Sequence, residues 1–353
     1  MKIITNAFLF RTIKFYTILS TLLFPCVTLS QITIDSSFTP TYLVTNVLLG
    51  GGVQVSNVTF TGGNTFRGTF QGNSNIGMTE GVLLASGDIS IAIGPNTQTS
   101  AGTGYNYPGD ADLQALIGGA QTYDAAILEF DFIPASDTIQ FNYVFGSEEY
   151  NEYVNSVFND VFAFFLTGQN PFGPAYNGTN IALIPGTTTP VAINNVNNGF
   201  ANAGYAGTGP CMNCAYFVDN TNGNWIQYDA FTTVLTALAP VVKCTQYHIK
   251  IAIADVSDAV FDSGVFLQAR SFSSPGLNLT AISSTGDSTM AEGCGAATYY
   301  FSRSGVLYDT LILNFTVGGT AVNGGDYTDI FGNPINDSII FYPGQDTVII
   351  QID

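Results

Sequence analysis

Positive charge is what this chain has least of: eight Lys and Arg stand against 26 Asp and Glu in 353 residues, with one His and a formal net charge of −18. Nucleic acid is excluded as a natural partner, because neutralising phosphates takes basic side chains that are not there. Long apolar runs are missing too. The longest, "FYTILSTLLFPCVTL", falls short of the ~20 residues that cross a bilayer, and no later segment comes closer. Preceded by Lys2, Arg11 and Lys14 and closed by the small residues Thr28 and Ser30, it predicts a secretory signal over residues 1–30, cut near Ser30/Gln31. The bulky Phe24 and Pro25 before Cys26 exclude a lipoprotein anchor there. Cleavage removes three basic residues and no acidic one, taking the net charge to −21.

Cysteine is scarce as well. After cleavage four remain, Cys211, Cys214, Cys244 and Cys294, and in an exported chain an even count predicts disulfides. Cys211 and Cys214 could close a small loop, or Cys214 could tether to Cys244 and leave Cys294 for Cys211 or for a cysteine elsewhere. A zinc knuckle is disfavoured, since "CMNC" has no second Cys-x-x-Cys to match it.

What the chain does have is Gly, Asn, Thr, Phe and Tyr. An aromatic content of 13% excludes an acidic disordered chain, where aromatics are few. Period-two alternation dominates: Ile139, Phe141, Tyr143 and Phe145 share one face of "DTIQFNYVF", and Tyr247, Ile249, Ile251 and Ile253 one face of "YHIKIAIAD". Gly- and Asn-rich turns such as "LGGG", "NNVNNG" and "DNTNGN" separate such runs. Helix is expected only at "DADLQALIGG", with Asp110 as cap, Leu113, Leu116 and Ile117 on one face and Gly118 as stop. The fold class is therefore all-β: a jelly-roll-like β-sandwich over residues 31–275, a break at "SFSSPGLNLT", and a smaller Ig-like β-sandwich over 283–353. The last strand runs to Asp353 without a linker, and a longer polypeptide is expected.

Four segments in order, "NVLLGGGVQVSNVTFTGG", "EGVLLASGDISIAIGPN", "FGSEEYNEYVNSVFNDVFAFFLTG" and "YHIKIAIADVSDAVFDSGVFL", resemble the choice-of-anchor L domain of Bacteroidota surface proteins over residues 41–273. Downstream, "GGTAVNGGDYTDIFG" and "IIFYPGQDTVIIQID" are similar to the Calx-β repeat. The two resemblances together imply a secreted, cell-surface protein on the outer-membrane exterior, the N-terminal part of a large adhesin of the kind used in gliding. The second also implies calcium at acidic loop ends, where Glu292 and Asp326 stand at the matching places.

Two acidic groups stand out. "FGSEEYNEYVNSVFND" holds Glu148, Glu149, Glu152 and Asp160 with no basic residue, and Asp255, Asp258 and Asp262 follow the strand "YHIKIAIA". In a strand, adjacent Glu148 and Glu149 cannot both face the core, so at least one is expected to be solvated or bound. Loop carboxylates can cap turns and keep a surface soluble. They also suit calcium, which takes six to eight oxygens, and Glu148, Glu149, Asp160, Asp255, Asp258 and Asp262 are the expected ligands. A third reading pairs Glu148 with Asp160 as the two carboxylates of a polysaccharide hydrolase. His248 lies opposite the apolar face of its strand with no serine motif near it, which disfavours nucleophilic hydrolysis.

Tyr105, Tyr107, Tyr143, Tyr150, Tyr153 and Trp225 could stack on sugars or fill the core. The expected partner is an extracellular glycan or a surface protein, and the expected role is non-enzymatic adhesion with calcium-stiffened loops. The rivals are the hydrolase and a purely architectural stalk.

Overall fold

A computed structural model describes residues 31–199, 210–283, 295–304 and 310–353. The predicted signal over 1–30 lies outside the described residues, as do Glu292 and Cys294. The strands up to the expected break are β1 (Thr33–Asp35), β2 (Val53–Thr61), β3 (Arg67–Gln71), β4 (Glu80–Ala85), β5 (Thr122–Pro134), β6 (Thr138–Ser147), β7 (Val161–Gly168), β8 (Tyr176–Asn180), β9 (Phe217–Asp219), β10 (Ala230–Thr232), β11 (Leu235–Pro240), β12 (Tyr247–Val256) and β13 (Ser263–Gln268). They form two antiparallel sheets. One runs β1-β3-β4-β13-β6-β10-β9, with β11 also on β6, and the other β2-β5-β12-β7-β8.

The alternating strands supply the core between the layers. Ile139, Phe141, Tyr143 and Phe145 of β6 meet Tyr247, Ile249, Ile251 and Ile253 of β12 in one buried cluster. Aromatic rings fill its centre: Phe141 lies 4.7 Å from Phe164 and 5.3 Å from Phe272 between centroids. Truncating a ring so enclosed costs about 3–5 kcal/mol.

The outer face of β12 is built differently. Ala252 and Ala254 are small there because the helix Ala111–Leu116 packs over them through Leu113. Asp110 caps that helix as expected, accepting from the amides of Asp112 and Leu113 at 3.1 and 3.0 Å. Gly118, just past the end, takes the left-handed φ of +78° that glycine adopts without cost.

The "SFSSPG" stretch is no loose linker. Phe272 belongs to the core, while Ser271, Ser273 and Ser274 are fully buried. Two of their hydroxyls serve backbone groups of the preceding sandwich, Ser274 accepting from the Ser136 amide at 2.9 Å and Ser271 from the Asn142 amide at 3.2 Å. Beyond it come β14 (Gly276–Ile282), β15 (Ala297–Ser304), β16 (Leu311–Asn314), β17 (Ser338–Phe341) and β18 (Thr347–Ile352). They form a three-stranded sheet, β14-β15-β18, and the pair β16-β17, around Phe301, Ile339 and Phe341.

Cysteine pairing resolves in favour of the short loop: Cys211 is bonded to Cys214. Cys244 is free and exposed, so the alternative Cys214–Cys244 tether is not formed.

Candidate functional site

The two acidic groups converge at one end of the sandwich, and nearly all of that charge is inside it. Glu148 and Asp160 are fully buried, as is Asp262, while Glu149 and Asp255 retain 2% and 1% exposure; Asp258 is half-buried. Strand alternation does not govern Glu148 and Glu149, because β6 ends at Ser147 and the chain bends there. Freed from the pleat, both turn inward. Neither is solvated.

Each carboxylate has its own surroundings. Glu148 accepts from the Ala101 amide at 3.1 Å and from Gln227 at 3.4 Å. Asp160 accepts from the Val256 amide at 2.9 Å and from the Ser263 hydroxyl at 2.7 Å. Asp262 accepts from the amide and the hydroxyl of Thr103, both at 3.0 Å. Gly87 makes room for it, since a Cβ there would sit 2.0 Å from Asp262 Oδ2. Asp255 follows Ile249, Ile251 and Ile253 in the inward phase of β12, and the donor beside it is the Ser86 hydroxyl. That hydroxyl also reaches the Ser263 carbonyl at 3.3 Å.

Among the described residues no cationic side chain forms an ion pair with this group. The ion pairs among the described residues lie elsewhere, Lys250 with Asp110 and Asp112, Arg270 with Glu80, and His248 with Glu129 and Asp131. Burial therefore pushes the carboxyls up. Glu148 rises to about 9, with Asp229 adding repulsion, and Asp262 and Asp229 rise to about 7. Glu149 and Asp160 are raised by burial and by charged neighbours, Asp160 and Asp258 for the first, Asp262 and Asp258 for the second. Asp255 is driven well above the carboxylate range by burial, then by Asp160 and Asp262. Ionising Glu148 at neutral pH costs roughly 3 kcal/mol at 1.36 kcal/mol per unit, with the hydrogen bonds from Ala101 and Gln227 already counted.

Sequence reasoning missed three members. Asp229 shares its Oδ1 with Asn96 at 2.8 Å, Tyr228 places a fully buried hydroxyl without partner beside the group, and Asp124 is buried near its edge. A charged residue inside an apolar run, as in "TYDAAILEF", was the available signal for Asp124.

What the carboxylates hold is a loop. Residues 97–108 are largely exposed and irregular, yet their backbone amides run onto buried acids: Ala101 onto Glu148, Thr103 onto Asp262, and Tyr105, Asn106 and Tyr107 onto Asp124 at 3.1, 3.1 and 2.6 Å. Gly102 lets the loop lie flat, since a Cβ there would meet the Val260 carbonyl oxygen at 1.6 Å. The loop presents Tyr105 and Tyr107, each 44% exposed, stacked with centroids 5.8 Å apart and 13° between planes, over Phe66. Of the other aromatics expected to offer stacking faces, Tyr143 and Tyr150 are core, Tyr153 packs edge-on against Phe158 and Phe261, and Trp225 is half-buried.

As a metal centre the group is irregular. Among the described residues no three Asp, Glu, His or Cys side chains form a ready-made cage. As a hydrolase pair Glu148 and Asp160 have no surface a polysaccharide could reach, each being at 0% exposure.

The family model of the choice-of-anchor L domain matches residues 31–273. Neither a curated protein nor a solved structure is significantly similar to the chain. The family is one of non-enzymatic domains of secreted or surface-anchored proteins, and no helix among the described residues is long and apolar enough to cross a membrane.

Proposed function

Because the chain belongs to the choice-of-anchor L domain family, we propose that it is an exported surface adhesion module whose loop 97–108 offers Tyr105 and Tyr107 to an extracellular glycan or surface protein. The observation that carries this reading is the stapled loop. An exposed aromatic pair held by five amide-to-carboxylate bonds loses little conformational freedom on binding, and stiff aromatic contacts are the usual anchors of recognition surfaces. Calcium at the acidic end belongs to the same reading, as the agent that keeps the staples rigid. The second unit acts in it as a Calx-β-like repeat, in adhesion of the type that serves gliding. The paired-carboxylate hydrolase has the opposite requirement, acids open to a groove, and the burial of Glu148 and Asp160 counts against it.

The test is binding to a glycan array and to intact cells by the wild-type chain and by the Tyr105→Ala/Tyr107→Ala double variant. A loss of roughly tenfold or more in affinity with an unchanged melt supports the reading, two anchors each contributing about 1 kcal/mol. Equal binding by both proteins contradicts it.

A further inference from the structure

We infer that a notch beside Tyr107 takes one uncharged sugar ring, so that the ligand of loop 97–108 is a neutral glycan. This deepens the adhesion reading and rests on it for the loop's role. A cavity of about 250 Å³ opens there on the flank of β5. Its cause is a change of neighbour along that strand. β2 leaves β5 after Thr61, which pairs with Ile127, and the loop takes its place at Pro108, which bridges Tyr123. The cavity sits on the gap, with Thr61 and Gly62 on one side, Tyr107, Pro108 and Gly109 on the other, and Ala125 and Ile127 as its floor. Two glycines bring the rims in close: a Cβ at Gly62 would meet the Ala125 carbonyl oxygen at 2.6 Å, and one at Gly109 the Thr122 carbonyl oxygen at 2.1 Å. Tyr107 is fixed on both sides of its Cα, its amide donating to Asp124 Oδ1 at 2.6 Å and its carbonyl accepting from the Asp124 amide at 3.0 Å. With its ring packed on Tyr105 and Phe66, it stands as a wall of the notch and does not fill it.

Size and lining chemistry select the occupant. The space equals that of about eight waters at ~30 Å³ each, too much for a packing flaw, and it falls below the roughly 300–1,000 Å³ that hold a drug-sized ligand. One ring fits. The tyrosine and proline rings and the methyls of Ala125 and Ile127 offer apolar contact, which suits the C–H face of a pyranose. At the rim, the Thr61 hydroxyl and the exposed peptide of Gly62 offer hydrogen bonds to its hydroxyl groups. A sugar presents both kinds of surface at once, whereas an apolar side chain of a protein partner presents only the first. Charge narrows the sugar. Among the described residues no charged side chain lines the notch, so a uronate or a sulfated sugar would lose water there without gaining a counter-charge. The chain's net charge of −18 repels such ligands at longer range as well. Tyr105, stacked on Tyr107 and 44% exposed, then offers its face to the neighbouring residue of the glycan.

The experiment measures binding of the full chain to an array that pairs neutral hexose oligosaccharides with their uronic-acid and sulfated counterparts, and to intact cells. Four proteins are compared: wild type, Thr61→Leu, Thr61→Ser and the Tyr105→Ala/Tyr107→Ala double variant. Thr61 is exposed on a strand, so Thr61→Leu fills the notch from outside and leaves both tyrosines in place. The expected result is that the wild type binds neutral oligosaccharides in preference to the acidic ones. Thr61→Leu should lose roughly tenfold or more in affinity with an unchanged melt, and Thr61→Ser, which keeps the hydroxyl and the open space, should bind as the wild type does. If Thr61→Leu melts early, Thr61→Val makes the same test with a smaller change. Undiminished glycan binding by the folded Leu or Val variant overturns the inference, as does an equal loss in Thr61→Ser or a preference for the acidic sugars. Binding to cells but to no glycan on the array also overturns it. In each of these cases a loss confined to the tyrosine double variant still upholds the adhesion reading, whereas equal binding by that variant and the wild type brings down both.

Discussion

Strand β12 treats its charged residues in two opposite ways. Near its start, on the outer face, His248 lies 2.8 Å from Asp131 and 3.3 Å from Glu129, and Lys250 reaches Asp110 and Asp112 at 2.5 and 2.7 Å. Five residues after Lys250, on the inner face, Asp255 is buried with acids for neighbours and the Ser86 hydroxyl to ease its charge. The outer charges are paired, partly wet and of small consequence. The inner ones are dry and unpaired, so their cost is large, and they persist beside the loop that carries the exposed tyrosines. Surface pairing is decoration of a finished sheet; interior acidity sets the local conformation of a loop.

The largest effect that could break this contrast is expected where the loop touches the dry end. Gly102→Ala places a methyl on the Val260 carbonyl and should destabilise by on the order of 3 kcal/mol in urea melts while releasing the loop; a variant within 0.5 kcal/mol of wild type would mean that the loop does not need this close approach.

Next comes pH. Glu148, raised from 4.5 to about 9, and Asp229, raised from 3.8 to about 7, favour the folded state while protonated, in full below their unfolded values, and lose that contribution as pH climbs through the folded ones. Metal-free protein should therefore lose more than about 2 kcal/mol between pH 5 and 9. A flat or rising profile would show the acids to be solvated. On the paired face the effects shrink: Lys250→Met should cost about 1 kcal/mol, since the pair is partly exposed and screened. Smallest is His248→Ala, expected within about 0.5 kcal/mol of wild type by the same melts. Reversal of that order, with His248 above Gly102, would invert the account.

The sandwich was legible in the sequence wherever side chains obey a period. Ile139 to Phe145 and Tyr247 to Ile253 announce their inward faces, and Asp110 announces its helix, because these signals are local. Convergence was not legible. Asp160 leads β7 and Asp262 leads β13, strands of different sheets, and they meet only because both strands begin at the same end of the sandwich, where Ser263 donates to Asp160. Nor was burial: acids in turn-rich text suggest solvent, and the bend after Ser147 that turns Glu148 and Glu149 inward has no sequence period to reveal it. One clue was available. Asp255 keeps the parity of Ile249, Ile251 and Ile253, and an acid in an inward phase marks a buried charge before any coordinates exist.

Hydrogen exchange at individual amides of loop 97–108 tests the stapling most directly. Ala101, Thr103, Tyr105, Asn106 and Tyr107, whose N–H groups point onto Glu148, Asp262 and Asp124, should exchange ~100-fold or more slowly than a free chain, as amides protected by an opening free energy near 3 kcal/mol do. Exchange at the rate of an unprotected loop would contradict the claim that buried acids hold it.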